Sequence, residues 1–381
     1  MVLRRYGAVI ASVILVAGAL SVLSCAPPPH ALASSSDALA GPETTEEPAA
    51  EPLFPVKQND KWGYIDRNGT IVIKPQFGFA DGFQDGLARI NVGGDWFLAD
   101  YGDGGKWGYI DRSGEVVIKA QFDQAEPFCE GMAWVCIGDD ETAKVGFINR
   151  TGEFAFTENE NLQFERYDCF SEGLLPAYVD GTCAYVDTNG KAVFFCPRFL
   201  STDTFSEGFA RVTLDRLVPG RTHSYIDTSG HVVIRPRFNY ASWFSEGLAA
   251  VLVGRQNQDG KYGYIDKKGN WVIRPKFQLA EAFSEGLAVI WGGDDEKCGY
   301  IDRTGKIVIE QRFDWAMGFS EGLAAVEVDE KWGFVDKTGH VLVEPRYDDV
   351  QDFSHGLAQV RLGNKIGYID KTGEYVWELT E

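Results

Sequence analysis

Histidine is scarce in this 381-residue chain: five occur, at His30, His223, His231, His340 and His355. No HExxH, CxxC or P-loop pattern is present, which excludes the zinc sites, redox dithiols and phosphate cradles that such spacings define. Only His231 and His340 share a register, each just after a turn glycine at a solvent edge, which does not make a metal cluster. Catalytic residues, metal and cofactor are therefore all assigned as none. Positive charge is short as well: 36 Lys and Arg stand against 56 Asp and Glu, for a net charge of −20. A phosphate-binding surface has to be basic, so nucleic acid is excluded as a partner. No stretch carries a 3.6-residue apolar period, which leaves strands to build the core.

The N-terminus is apolar without being long. In "MVLRRYGAVIASVILVAGALSVLSC", Arg4 and Arg5 precede an apolar run from Ala8 to Leu20. That run is short for a bilayer span and begins at the extreme N-terminus, so residues 1–24 read as a signal peptide. The ending "SVLSC" resembles a bacterial lipobox, with Ser24 at the small position. The resemblance implies cleavage before Cys25 and lipidation of its thiol. Each buried CH₂ of such an anchor contributes about 0.8 kcal/mol, so two or more acyl chains hold a protein on a membrane. The Pro-, Ala-, Ser- and Glu-rich stretch that follows has little to bury and reads, through residue 51, as a tether. The expected location is exported and membrane-anchored, on the periplasmic or cell-surface side of a bacterial envelope.

Residues 52–381 repeat one unit. "KWGYIDRNGTIVIKPQF" from Lys61 returns as "KWGYIDRSGEVVIKAQF" from Lys106, "KYGYIDKKGNWVIRPKF" from Lys261 and "KCGYIDRTGKIVIEQRF" from Lys297. The glycine after the first aromatic falls at Gly63, Gly108, Gly146, Gly263, Gly299, Gly333 and Gly367, with Ala184 and Ser224 in two weaker copies. Spacings of 34 to 45 residues mark a repeat architecture. Each copy has three strand-like pieces, such as "GLARI", "WGYID" and "TIVIKP". "DRNG" (Asp66–Gly69) and its relatives are turns, in which Asp binds the backbone ahead and Gly supplies positive φ. Asn149 fills the Asp slot in the third copy; it keeps the turn and cannot act as a carboxylate base. Phenylalanines six apart, as Phe77 and Phe83, read as knobs between adjacent units. Trp62, Trp107 and Trp332 share their slot with Tyr262, Cys298 and Ile366, so it requires apolar bulk.

On these residues the chain resembles the WG (KWG) repeat family, marked by "KWGYID..G..VI.P.F..A..FSEGLA.V". The likeness runs over residues 52–381, with degenerate third and fourth copies. It implies a β-repeat array on envelope or secreted proteins that mediates binding, and it carries no reaction and no active-site residue. The expected fold is all-β: about nine three-stranded meanders stacked as an open superhelical array. The alternative is a closed, propeller-like ring.

Two further features stand outside the repeat. Five of the six cysteines after Cys25 lie between Cys129 and Cys196. Cys183 and Cys196 flank one hairpin and form the candidate disulfide, the alternative being that they stay reduced and buried. Insertions after the first strand, "GGDWFLADYGDGG" and "WGGDDEK", set Trp96 beside Asp95 and Trp291 beside Asp294 and Asp295. Aromatic rings next to acids suit stacking on a sugar with bonds to its hydroxyls, and these five residues form the candidate ligand-binding edge. The functional expectation is a non-catalytic envelope scaffold for a protein or glycan partner. A spacer without a ligand is the alternative, and a glycan-acting hydrolase, needing two carboxylates converging across units, comes third.

Overall fold

The computed structural model describes residues 51–380 apart from 94–104, 139–141, 166–168, 215–222, 256–257 and 293–295. Every regular element among the described residues is a β-strand. The first sheet contains β1 (Phe54–Gln58), β2 (Lys61–Ile65) and β3 (Ile71–Phe77) in sequence order. The second adds a short leading strand, β4 (Phe79–Ala80), before β5 (Ala88–Gly93), β6 (Gly105–Ile110) and β7 (Val116–Phe122). That four-stranded antiparallel plan recurs to the ninth sheet, which ends on Tyr375–Thr380.

The signature glycine has a steric cause. Between Trp62↔Phe77 and Tyr64↔Ile73 the fourth-strand position of the unit bulges over its partner. A Cβ on Gly63 would lie 2.4 Å from the Ile73 carbonyl oxygen and 2.5 Å from Pro75 N. Gly263, Gly299 and Gly333 meet the same wall. Ser224 is tolerated because its hydroxyl donates to the Ile234 carbonyl at 2.7 Å. Ala184 faces a shortened strand, Ala192–Phe195.

The core lies between sheets, so each unit is completed by the next. Leu87, Trp107, Tyr109 and Phe122 of the second sheet pack on Phe128, Val135 and Ile148 of the third. The third-strand aromatic of one unit meets the phenylalanine of the next: Tyr64 with Phe83, Tyr109 with Phe128, Tyr264 with Phe283, Tyr300 with Phe319 and Phe334 with Phe353, at 4.7–4.9 Å between centroids. Such pairs contribute about 0.5–1.5 kcal/mol beyond their buried area.

This series closes on itself. Phe54 of the first sheet packs edge-on against Tyr368 of the ninth at 5.5 Å. Phe54, Val56 and Ile65 form one buried cluster with Leu357 and Tyr368. Tyr368 Oη donates to the Pro55 carbonyl and Thr380 Oγ1 to the Lys57 carbonyl, at 2.9 and 2.7 Å. The nine sheets therefore form a closed ring, and the expectation of an open superhelical array is corrected in favour of its alternative. The expected three strands per unit become four in eight of the nine sheets. The connecting piece between units contributes the extra strand, often only two residues long, as Phe79–Ala80.

The expected disulfide is corrected too. Cys183, on Thr182–Val186, and Cys196, just past Ala192–Phe195, are buried free thiols, and the disulfide joins Cys129 to Cys169. Burial pushes the Cys196 thiol up to about 12, with the Cys183 thiol adding to the shift. Cys298 is a buried thiol in the tryptophan slot, as expected.

Candidate functional site

Antiparallel meanders send alternate turns to opposite ends of each sheet, so every blade has two functional ends. At one lie the "SEG" and "DxxG" turns; the acids and serines of "SEG" and the basic residue of "DxxG" are consumed by joints, and the Asp of "DxxG" by the amides of its own turn. The "SEG" turn joins the short strand to the second strand through two left-handed residues, with φ of 51° and 85° at Glu285–Gly286. Asn-Gly satisfies such a turn best. A carboxylate stands there instead and reaches the next blade: Asp85 accepts Gly131 N, Glu246 accepts Gly286 N, Glu285 accepts Gly322 N, and Glu321 accepts His355 N and Gly356 N. The basic residue of the next blade's turn closes on the same acid, as Arg303 on Glu246, Lys337 on Glu285 and Lys371 on Glu321 at 3.1–3.2 Å. The carboxyl of Glu321 is held below its ordinary value: partial desolvation opposes the shift, but Lys371 and the two amides outweigh it.

Serine supplies a second set of joints. Ser171, Ser206, Ser245, Ser284 and Ser320 each donate Oγ to the phenylalanine carbonyl of the following blade at 2.6–2.7 Å. Cys129 occupies this serine slot in the third blade, and Cys169 directly precedes the phenylalanine, Phe170, that the serine would address. The disulfide thus replaces a hydrogen bond at the one joint where the slot pairs cysteine with cysteine. The separation of 40 residues, one repeat, is the sequence signal that identifies the pair.

The opposite end carries the hairpins between second and third strands, where the candidate ligand edge was expected. Trp96, Asp95, Asp294 and Asp295 lie outside the described residues, as does Cys25. Trp291 ends the second strand of the seventh blade (Leu287–Trp291), half-buried, with its ring 5.3 Å from that of Trp315. It lines an open cleft of about 300 Å³ at the joint of blades 6 and 7 with Lys261, Lys276, Phe277, Gln278 and Gln311. Sequence reasoning named the tryptophan and missed the sixth-blade residues opposite, because no single unit contains both walls. Among the described residues no group of His, Cys, Asp or Glu is arranged to hold a metal ion.

A closed ring of nine sequential antiparallel sheets is a nine-bladed β-propeller. The "SEG" acids and serines serve its joints, and the "DxxG" aspartates its turns. The pattern described as WG containing repeat matches residues 62–96, 107–139, 224–255, 262–290, 299–332 and 332–365, just over half of the chain. The chain belongs to this WG-repeat family. No curated protein matches it in sequence.

Among solved structures it is similar to Hsv2 of Kluyveromyces marxianus, with a TM-score of 0.40 and 11% identity over 68% of this chain and 96% of that one. It is similar to the extracellular domain of the putative hybrid two-component system BT3049 of B. thetaiotaomicron, at 0.32 and 12% over 83% and 60%. It also resembles a puromycin hydrolase mutant complexed with PGG, at 0.37 and 13% over 66% of this chain and 53% of that one. The chain thus spans about half the length of the hydrolase. At these scores the likenesses carry no argument about activity.

Proposed function

We propose that the chain is a rigid, non-catalytic binding platform held at a bacterial cell envelope by lipid on Cys25, with residues 26–51 as its tether. A protein or glycan partner docks at the hairpin end of the blades. The observation that carries this reading is the division of labour between the two ends. At the "SEG" end the repeated acids and bases hold neighbouring blades, whereas the hairpin end bears the variable insertions and the Trp291 cleft. Binding residues on variable loops over a fixed frame are the usual way a scaffold acquires a specific partner. The test is a binding screen of envelope proteins and glycans against the full chain and its Trp291→Ala variant. Loss of a partner in a folded variant supports the platform. A partner that binds both proteins equally places recognition elsewhere.

A second reading, a spacer without a ligand, is favoured by how completely the joints use the repeated polar groups. It expects the same screen to return nothing.

A further inference from the structure

The Trp291 cleft lacks a charge pair that three other blades possess. In blades 2, 7 and 8 the lysine that opens the third strand is held by an aspartate in the link to the next blade. Lys106 meets Asp123, Lys297 meets Asp314 and Lys331 meets Asp348, each at 2.5 Å. In blade 6 the lysine is Lys261, and the link position is Gln278. Among the described residues no carboxylate pairs with Lys261, and neither Asp nor Glu is part of the cleft wall.

Lys276 adds a second positive charge, with Nζ donating to the Gly305 carbonyl at 2.9 Å and lying 5.0 Å over the Phe277 ring. One cation of the cleft is thus engaged in a joint, and among the described residues the other, like Lys61 of the first blade with Gly78 at its link position, lacks the aspartate that holds the lysines of blades 2, 7 and 8. In a chain of net charge −20 this is an unusual wall. A half-buried ammonium lacking its counter-charge is costly, and an incoming anion relieves that cost.

We propose that this cleft binds an acidic sugar, a pyranose carrying a carboxylate. The carboxylate pairs with Lys261 and takes the place that aspartate holds in blades 2, 7 and 8. The ring packs on the half-buried face of Trp291, and the Gln278 amide bonds a hydroxyl. A volume of about 300 Å³ sets the scale at one sugar residue, the small end of ligand sites. The inference rests on the binding-platform reading and gives it a ligand class.

The repeat itself supplies the decisive variant. Gln278→Asp rebuilds the pair already present in three blades, so it leaves the fold intact while filling the anion position from within. The measurement is calorimetric titration of the full chain with a hexuronic acid oligosaccharide, an uncharged glucose oligosaccharide and acetate. The acidic sugar is expected to bind, the neutral sugar at least tenfold more weakly, and both Gln278→Asp and Lys261→Gln to weaken the acidic sugar at least tenfold. Equal affinity for acidic and neutral sugars, no binding of either, or an unchanged Gln278→Asp variant overturns the proposal. Acetate binding as tightly as the sugar acid overturns its sugar part. A screened partner lost in Trp291→Ala but retained in Gln278→Asp leaves the platform standing and removes the acidic sugar.

Discussion

Two glycines of one blade separate the cost of backbone conformation from the cost of a joint. Gly286 and Gly305 have φ of +85° and +83°, so alanine suffers the same left-handed penalty at either, about 1–2 kcal/mol. Their surroundings differ. A Cβ at Gly286 meets nothing within 4 Å, whereas one at Gly305 would lie 2.9 Å from Cγ2, 3.3 Å from Cγ1 and 3.4 Å from Cδ1 of Ile273 in the preceding blade. Ile273 is 3% exposed and has no room to retreat. Overpacking of this kind costs about 1–3 kcal/mol. Gly305→Ala should therefore lose about 2–5 kcal/mol and Gly286→Ala about 1–2 kcal/mol, the former adding the steric to the conformational cost. Urea denaturation followed by tryptophan fluorescence, with the slopes compared as well as the midpoints, measures both. Equal losses would refute the claim that the turn glycine is a contact between blades as well as a bend in the chain.

Three other outcomes follow from the joints. Phe54→Ala should cost about 3–5 kcal/mol in a closed ring, since its ring is buried against Tyr368; a small loss in denaturation would mean that the first and last blades do not meet. In a Cys169→Ala background, Cys129→Ser should be more stable than Cys129→Ala by about 0.5–1.5 kcal/mol, because serine restores the joint used by five other blades. Equal midpoints for the two would remove that equivalence. The carboxyls of Asp111, Asp302 and Asp336 are held below their ordinary value by the hydroxyls of Ser113, Thr304 and Thr338, opposed by partial desolvation and aided by backbone amides of the turn. A depressed folded value stabilises above the unfolded value near 3.8 and is lost as pH falls through the folded one. Asp302→Asn should thus change stability at pH 7 by no more than about 0.5 kcal/mol and lessen the loss on acidification below pH 4. A large loss at neutral pH would contradict the turn role.

The turn series, the strand alternation and the count of nine units were legible because they are local: "DRNG" bends the chain wherever it stands, and Asn149 in the Asp slot already argued for a turn. The short leading strand was not, since two residues such as Phe79–Ala80 have no period to detect. Ring closure stood only as the alternative because it depends on Phe54 and Tyr368, more than three hundred residues apart. The cysteines were paired within a hairpin when the period of the chain pointed to partners one unit apart. For the candidate site, Trp291 stood out as an aromatic beside acids. The cleft wall it shares with Lys261 and Gln278 belongs to the preceding blade and emerges only when adjacent units are laid side by side.

The seam between the ninth and first blades differs from the other joints in chemistry. His355 occupies the slot that holds a carboxylate in blades 2 to 8, and its carbonyl accepts Arg67 of the first blade at 3.1 Å. In the first blade Pro52 holds the sequence position of the glycine whose amide the other acids bond, and it has no N–H to offer a carboxylate. The ring thus has a marked beginning and end, while the links from the fourth to the eighth blade are head-to-tail couplings of one kind. Duplicating or removing one of the fifth to eighth units would leave the serine chemistry of the neighbouring couplings as it was.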